Sequence, residues 1–246
     1  MGRRLVAALL ACLALPCAAE RTYAIISLVG DRIEIIQHSP VVGSSIDQNR
    51  KEELAPSEGA IDKAVLSAAD KAVTKSDPAS KPVLLLANDP ALYRAQDKML
   101  DDEAAVTVLL ERLRPMLAEV HASHLLLFTK YRHEARFPIG NSLVGSGMIE
   151  GVGFYVDRVL VTRVAGSSDS SRGFLAPFAY FQVSLIDLAT STVVKNRTML
   201  GRTARSAARG ESGEAWDALT DSQKVTLLAR ILRSETFNAT TEVIEP

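Results

Sequence analysis

The chain has 246 residues, of which 47% are hydrophobic, with 28 basic and 29 acidic side chains and a formal net charge of −1. This apolar content excludes a disordered chain, and the balance of charge argues against a nucleic-acid partner. The length suffices for one large or two small domains, each with a core of its own.

The first nineteen residues predict a cleavable signal peptide. Arg3 and Arg4 give a positive start, residues 5–15 form an apolar stretch, and small residues precede a cleavage point after Ala19. The apolar stretch is shorter than the roughly 20 residues that a transmembrane helix needs, so we expect no transmembrane span. Residues 20–246 would then form one exported domain, either periplasmic or secreted.

The two cysteines of the chain, Cys12 and Cys17, both lie in this leading segment. A domain that begins after Ala19 has no disulfide and no thiolate to act as a nucleophile or metal ligand. The order Leu-Leu-Ala before Cys12 also fits the motif that precedes the modified cysteine of bacterial lipoproteins. A lipid anchor at Cys12 therefore stays open as an alternative.

The first elements after this segment are predicted to be two strands. Residues 22–29 and 32–37 are rich in β-branched and apolar side chains, and Gly30-Asp31 separates them. A two-residue link that begins with Gly is typical of a hairpin, because Gly adopts the positive φ that the turn requires. We therefore predict an N-terminal hairpin, followed by a polar loop over residues 38–55.

Two helices and a buried strand are predicted next. Apolar residues recur every three or four positions over residues 56–74 and again after Asp101, which indicates an amphipathic helix in each place. Residues 83–87 form a short apolar run bounded by prolines, as in a strand that is buried on both faces. Pro115 is expected to kink the second helix.

The C-terminal half is predicted to consist of strands followed by one helix. Strand-like runs cover residues 124–135, 155–164, 179–189 and 192–200. Thr220 and Gln223 fit a capping box, in which each side chain bonds the backbone of the other at a helix start. The predicted fold is α+β: a mixed β-sheet with an N-terminal hairpin, two helices packed on the sheet and a C-terminal helix. Residues 20–246 would form this single domain, with flexible loops at 166–173 and 201–215.

Histidines are the first candidates for chemistry. His121 and His124 are three positions apart, and His133, Glu119 and Glu134 lie near them in the sequence. Two histidines at positions i and i+3 of one helix share a face and could hold a zinc ion. However, the apolar run after His124 indicates that the helix has ended, and the metalloprotease motif His-Glu-x-x-His is absent. No cofactor is expected, and an exported metal-dependent hydrolase that uses these histidines is the alternative hypothesis for function.

Residues 137–154 hold five of the 14 glycines and are predicted to be an insert in the domain. The glycine spacing differs from the dinucleotide fingerprint, and Ser146 is not in a Gly-x-Ser-x-Gly elbow. A glycine-rich hairpin or bulged edge strand is one interpretation. The other is a mobile apolar segment that docks on a partner protein. Its candidate contact residues are Leu143, Val144, Met148, Ile149 and Phe154.

A run of basic residues follows, with no acidic residue between Lys195 and Gly210. Such a run is typical of a solvated loop, or it binds an anionic surface such as lipid headgroups or cell-wall polymer. The candidate anion-binding residues are Lys195, Arg197, Arg202, Arg205 and Arg209.

Residues 181–196, FQVSLIDLATSTVVKN, resemble the paired strands of TolB-N-terminal and curli-pore-like α/β domains of periplasmic proteins and envelope lipoproteins. In those domains a strand ends in Leu-(Val/Ile)-Asp, and a Thr-containing turn leads to a second Val-rich strand. The resemblance implies a non-enzymatic interaction domain and transfers no site residues. The first hypothesis for function is therefore an exported, periplasmic interaction or assembly module of the bacterial cell envelope, with an envelope protein or an anionic surface as its partner.

Overall fold

The computed structural model describes residues 21–39, 49–56, 59–99, 105–163, 170–206 and 215–245. The predicted signal peptide, the alternative lipid anchor at Cys12 and Arg209 of the basic run lie outside the described residues. Within the described ranges, no helix is both long enough and apolar enough to cross a membrane.

The described elements alternate between strands and helices in the first half of the chain and are mostly strands in the second. The helices are α1 (Ala60–Ser76), α2 (Pro90–Met99), α3 (Ala105–Glu119) and α4 (Asp221–Ile244), with a short 3-10 helix at Ala215–Ala218. The strands are β1 (Thr22–Ser27), β2 (Ile33–Gln37), β3 (Arg50–Leu54), β4 (Lys81–Leu86), β5 (His124–Lys130), β6 (Arg132–Glu134), β7 (Phe137–Ile139), β8 (Ser142–Val144), β9 (Met148–Arg163), β10 (Ser170–Asp187), β11 (Thr192–Arg202) and β12 (Arg205–Ser206).

In the described part of the chain, ten strands form one mixed sheet, whose main path runs β3-β2-β9-β10-β5-β1-β4. β1 lies between β4 and β5 and is parallel to both. β11 and β12 pair with β10, β6 pairs with β9, and β7 and β8 form a separate hairpin.

The long strand β10 joins the two halves of the sheet. Its residues 170–180 pair with β9 and its residues 181–187 pair with β5. Because β11 occupies the other edge of β10 over residues 178–187, β9 and β5 lie on one edge and meet end to end. β1 likewise leads through Gly30-Asp31 into β2, which runs beside β9. We call the level at which these strands meet the seam.

Both faces of the sheet are covered. α1 and α4 pack on one face of the sheet, and α2 and α3 pack on the other. Because side chains alternate along a strand, neighbouring residues of one strand face different pairs of helices. In β1, Tyr23 and Ile25 face α1 and α4, whereas Ala24 and Ile26 face α2 and α3. Beyond the seam, the second face carries a separate aromatic core. Its aromatic members are Phe137, Tyr155, Phe174, Phe178 and Tyr180.

The predicted α+β fold is confirmed, with a mixed sheet, helices packed on it and a C-terminal helix. Gln223 N donates to Thr220 Oγ1 at 3.3 Å, and Thr220 N donates to Gln223 Oε1 at 2.9 Å. This is the predicted capping box at the start of α4.

The predicted N-terminal hairpin is wrong, because β1 pairs with β4 and β5 whereas β2 pairs with β3 and β9. The physical reason is Asp62 in the first turn of α1. Its Oδ1 accepts hydrogen bonds from Val29 N at 3.1 Å and from Gly30 N at 3.0 Å, which hold the connection open. A Cβ on Gly30 would lie 2.7 Å from Asp62 Oδ2, so glycine is needed here for close approach and not for a turn.

Several segments differ from their predicted form. Residues 170–173, expected in a flexible loop, lie in β10. Of the other predicted flexible loop, residues 201–202 end β11 and residues 205–206 form β12. The predicted loop over residues 38–55 contains β3. α2 begins at Pro90, which suits the first position of a helix because proline has no N–H to leave unpaired.

Candidate functional site

An open cleft of about 690 Å³ lies on the sheet face that carries α2 and α3. Gln96 and Met99 of α2 and Val106 of α3 form one wall of the cleft. Tyr131 and Arg132, at the start of β6, line another part of it. The floor comes from β5, β10 and β11. Its residues are Leu127, Thr129, Lys130, Gln182, Ser184, Ile186, Val193 and Asn196.

Part of the floor is polar, because alternate side chains of β10 point into the cleft. Along β10, Phe181, Val183 and Leu185 point into the core beneath α1 and α4. The alternating residues Gln182 and Ser184 point into the cleft, and Gln182 Nε2 donates to Ser184 Oγ at 3.3 Å. The cleft can therefore offer amide and hydroxyl groups to a ligand.

An apolar rim borders this floor along β11. The register of β10 and β11 shifts between Leu185 and Ile186, which leaves Val194 without a counterpart on β10. A bulge of this kind re-aims a side chain. Val193 and Val194 are 48% and 57% exposed, so the rim presents two adjacent apolar side chains to solvent.

Buried charges hold the two halves of the sheet together at one end of the cleft. Lys130 Nζ lies 2.7 Å from Asp31 Oδ1 and 3.0 Å from Asp97 Oδ1. Arg32 Nη1 lies 3.0 Å from Asp97 Oδ2, and Arg32 Nη2 lies 3.0 Å from Glu150 Oε1. We call this group the seam cluster; it comprises Asp31, Arg32, Glu34, Asp97, Lys130 and Glu150.

Backbone shape makes room for the buried lysine of the seam cluster. The Lys130 side chain is only 1% exposed. Gly151 has a φ of +63°, and a Cβ on it would lie 3.3 Å from Lys130 Cγ and Cδ. Lys130 N also donates to Gln96 Oε1 at 2.8 Å, which fixes α2 to the end of β5. The seam cluster therefore positions the α2 wall of the cleft.

The carboxylates of the seam cluster differ in their electrostatic environment. Burial, with a smaller contribution from the nearby Glu150, raises the pKa of Glu34 to about 7, and the positive charges of Lys51 and Arg32 oppose the shift. Within the described residues, Glu34 Oε2 is buried without a hydrogen-bond partner. Burial would also raise the pKa of Asp97, but hydrogen bonds from Arg32 and Lys130 lower it below its usual value.

No protein-family model and no curated protein matches this sequence. The fold is distantly similar to solved structures. One is a putative neuraminyllactose-binding hemagglutinin homolog from Helicobacter pylori (8% identity, 91% of this chain and 86% of that chain, TM-score 0.39). Another is the PelC dodecamer from Paraburkholderia phytofirmans (12% identity, 92% and 89%, TM-score 0.32). A third is protein XCC0632 from Xanthomonas campestris (12% identity, 93% and 85%, TM-score 0.32).

These likenesses are distant in both sequence and backbone geometry, so the function must be inferred from the residues of this chain. None of the three structures is named as a TolB-N-terminal or curli-pore-like domain. That more specific resemblance stays a prediction.

The three candidate metal-binding histidines do not meet. His121 lies in the turn after α3, at a φ of 51°. His124 begins β5, where its ring packs 5.4 Å from that of Tyr23, and His133 lies in β6 beyond the other end of β5, about 20 Å away along the strand. Within the described residues, no group of three or more His, Cys, Asp or Glu side chains is arranged to hold a metal. This geometry gives no support to a hydrolase that uses these histidines.

The candidate docking residues of the glycine-rich segment divide into exposed and buried groups. Leu143 and Met148 are exposed, and Val144 packs partly against the aromatic core. Ile149 and Phe154 are buried in β9, so they cannot contact a partner without unfolding of the strand. Residues 137–154 form the β7–β8 hairpin and the beginning of β9.

The candidate anion-binding residues do not form one patch. Lys195 donates to a carbonyl oxygen at the end of α4 at 2.8 Å, and Arg197 lies 2.7 Å from a carboxylate oxygen of the same helix. Arg202 points to the other face of the sheet, where it donates to a tyrosine hydroxyl of the aromatic core at 3.3 Å. Arg205 lies in β12, and Arg209 is outside the described residues.

A polar cluster that the sequence did not predict lies at the end of β2. Ser146 Oγ and Tyr155 OH lie 3.1 Å and 3.0 Å from His38 Nδ1, and Asp157 Oδ2 lies 3.8 Å from His38 Nε2. These are the residue types of a catalytic triad, but the Asp–His distance is too long for a hydrogen bond. Ser146 N also donates to Tyr155 OH at 3.0 Å. The cluster therefore fastens the 145–147 turn to β2.

Proposed function

We propose that this chain is an exported, non-enzymatic interaction module of the bacterial cell envelope, which binds a segment of a partner protein in the cleft. The observation that carries the proposal is the exposed pair Val193 and Val194 of β11, of which Val193 lines the cleft together with the polar side chains Gln182 and Ser184. Protein-binding surfaces combine apolar contacts with a few oriented polar groups in this way.

The chemistry of the cleft favours an uncharged, extended polypeptide. Its floor offers side-chain amides and hydroxyls, which can donate to and accept from the peptide groups of a bound segment. Lys130 and Arg132 are cations of the cleft lining, and both are engaged by carboxylates. Lys130 pairs with Asp31 and Asp97, and Arg132 pairs with Glu150. A strongly charged ligand would therefore find little electrostatic attraction on the floor itself.

A crosslinking experiment in the native host tests the binding surface. A photoreactive amino acid at position 194 of the full-length protein is expected to give one reproducible adduct with an envelope protein. With that partner purified, Val193→Lys combined with Val194→Lys should weaken binding at least tenfold, because the partner's apolar contacts are replaced by solvated charges. Val225→Lys is the matched control, since Val225 is 68% exposed on α4, away from the cleft.

Two results would reject this binding surface. In one, the photoreactive amino acid at position 194 gives no adduct, or gives only adducts that the same amino acid at position 225 also gives. The other is unchanged affinity of the double lysine variant for the purified partner.

Export is tested separately by mass spectrometry of the native protein. A mature N-terminus at Glu20 is the expected result. An intact Met1 would contradict export by signal cleavage, and acyl chains on Cys12 would show a lipoprotein instead.

A further inference from the structure

A second concave surface lies between α1 and α4, on the face of the sheet opposite the cleft. This α1–α4 groove has a volume of about 490 Å³. Its lining includes three basic residues, Lys71 of α1 and Arg230 and Arg233 of α4. None of the lining residues of the groove is acidic. The remaining lining residues are Ser67, Ala68, Thr226, Ser234, Phe237 and Asn238.

Helix geometry brings the cations of the groove together. On α4, Arg230, Arg233 and Ser234 occupy positions i, i+3 and i+4, so they share one face. On α1, Ser67 and Lys71 are four positions apart and share the exposed side of the helix that borders the groove. The groove therefore combines three positive charges with hydroxyl groups from both helices.

The carboxylates of α4 do not neutralise these cations, because they lie on another side of the helix. Glu235 packs towards β11, where a Cβ on Gly201 would meet its side chain. Glu242 pairs with Arg197 of β11 at 2.7 Å. Among the described residues, the three groove cations have no ion-pair partner.

We propose that the α1–α4 groove binds a phosphate group. An arginine side chain presents a planar fork of donors that matches two phosphate oxygens, and a lysine adds a compact charge. A phosphate monoester carries a charge of about −1.5 to −2 and has three strong acceptor oxygens. Lys71, Arg230 and Arg233 match that charge, and Ser67 and Ser234 supply further donors. The phosphate belongs either to a small phosphate ester or to a lipid headgroup.

Titration of the full-length protein with inorganic phosphate, followed by calorimetry at low and constant ionic strength, tests the site. Wild-type protein should bind phosphate, and added sodium chloride should weaken the binding. Arg230→Gln combined with Arg233→Gln should weaken it at least tenfold. Arg112→Gln is the matched control, because Arg112 is exposed on α3, on the other side of the sheet.

Vesicle co-sedimentation distinguishes the two sources of the phosphate. Retention on phosphatidic acid vesicles, whose headgroup is a phosphate monoester, but not on phosphatidylcholine vesicles, indicates a lipid headgroup. Phosphate binding without vesicle retention indicates a small phosphate ester. The proposal is overturned if wild-type protein binds neither probe, if the double glutamine variant binds as wild type does, or if Arg112→Gln weakens binding equally.

Discussion

Lys130 Nζ lies 2.7 Å from Asp31 Oδ1, and this contact joins the end of β5 to the connection between β1 and β2. The same ammonium group reaches Asp97 on α2 at 3.0 Å. One buried cation therefore links a strand, a connection and a helix at the seam. Because β9 and β5 meet end to end there, backbone pairing alone leaves an interruption that these charges bridge.

Replacing Lys130 with Met should destabilise the fold strongly. The substitution removes one positive charge, and Asp31 and Asp97 keep Arg32 as an ion-pair partner. Breaking a buried ion pair costs about 3–5 kcal/mol of unfolding free energy, and we expect a loss of about 3 kcal/mol, at the lower end of this range. Urea denaturation measures the loss. Arg114→Met is the control, since its ion pair with Glu111 is exposed and should cost less than about 1 kcal/mol. Equal losses in the two variants would contradict a structural role for Lys130.

Glu34 should make the stability of the chain fall as the pH rises from 5 to 8. The pKa of this carboxyl is about 7 in the fold and 4.5 as its ordinary value, so the folded state holds a proton that the unfolded state releases. The stabilisation is complete below pH 4.5 and is lost as the pH rises through 7. Relative to Glu34→Gln, which cannot ionise, wild-type protein should lose about 2.5 kcal/mol between pH 5 and pH 8.

Urea denaturation of both proteins at pH 5, 6, 7 and 8 checks this prediction. Other groups contribute equally to the two proteins and cancel in the difference. Parallel profiles for wild type and Glu34→Gln would show that Glu34 ionises normally in the fold.

The features that the sequence predicted well depend on residues that are close together in the chain. The capping box joins Thr220 and Gln223 over three positions. The stripe of α1 and the β10–β11 hairpin also follow from local periodicity, and they form near their predicted places. Local patterns of this kind do not depend on which distant segment lies opposite.

The seam cluster and the cleft could not be predicted in that way. Arg32 bonds Asp97 and Glu150, which are 65 and 118 positions away in the chain. The failure of the predicted hairpin has the same cause, because Asp62 lies more than 30 positions from the backbone groups that it captures. A charged residue after a strand gives no indication of its partners until the strand order is known.

Gly153→Ala should destabilise the protein by about 3 kcal/mol or more, because an added Cβ would lie 2.1 Å from the backbone oxygen of Glu34. β2 and β9 pair at this point, so the clash falls on the backbone and no side-chain rotation relieves it. Gly140→Ala is a suitable control, since a Cβ there meets nothing within 4 Å and only its φ of +58° opposes the change. That variant should lose roughly 1–2 kcal/mol. Thermal and urea unfolding of both variants give the comparison, and a loss at Gly153 no larger than at Gly140 would contradict the close approach.

Phe154→Ala should cost about 3–5 kcal/mol of unfolding free energy, whereas Leu143→Ala should change it by less than about 0.5 kcal/mol. Phe154 is buried, and its ring packs edge-on against Trp216 at 5.7 Å, so truncation leaves a cavity in the core beneath α1 and α4. Leu143 is 58% exposed in β8, where truncation removes little buried surface. Denaturation curves of the two variants decide between a core role and a docking role for Phe154. A docking residue would leave the stability of the free protein unchanged, so a small loss for Phe154→Ala would restore the hypothesis that this segment contacts a partner.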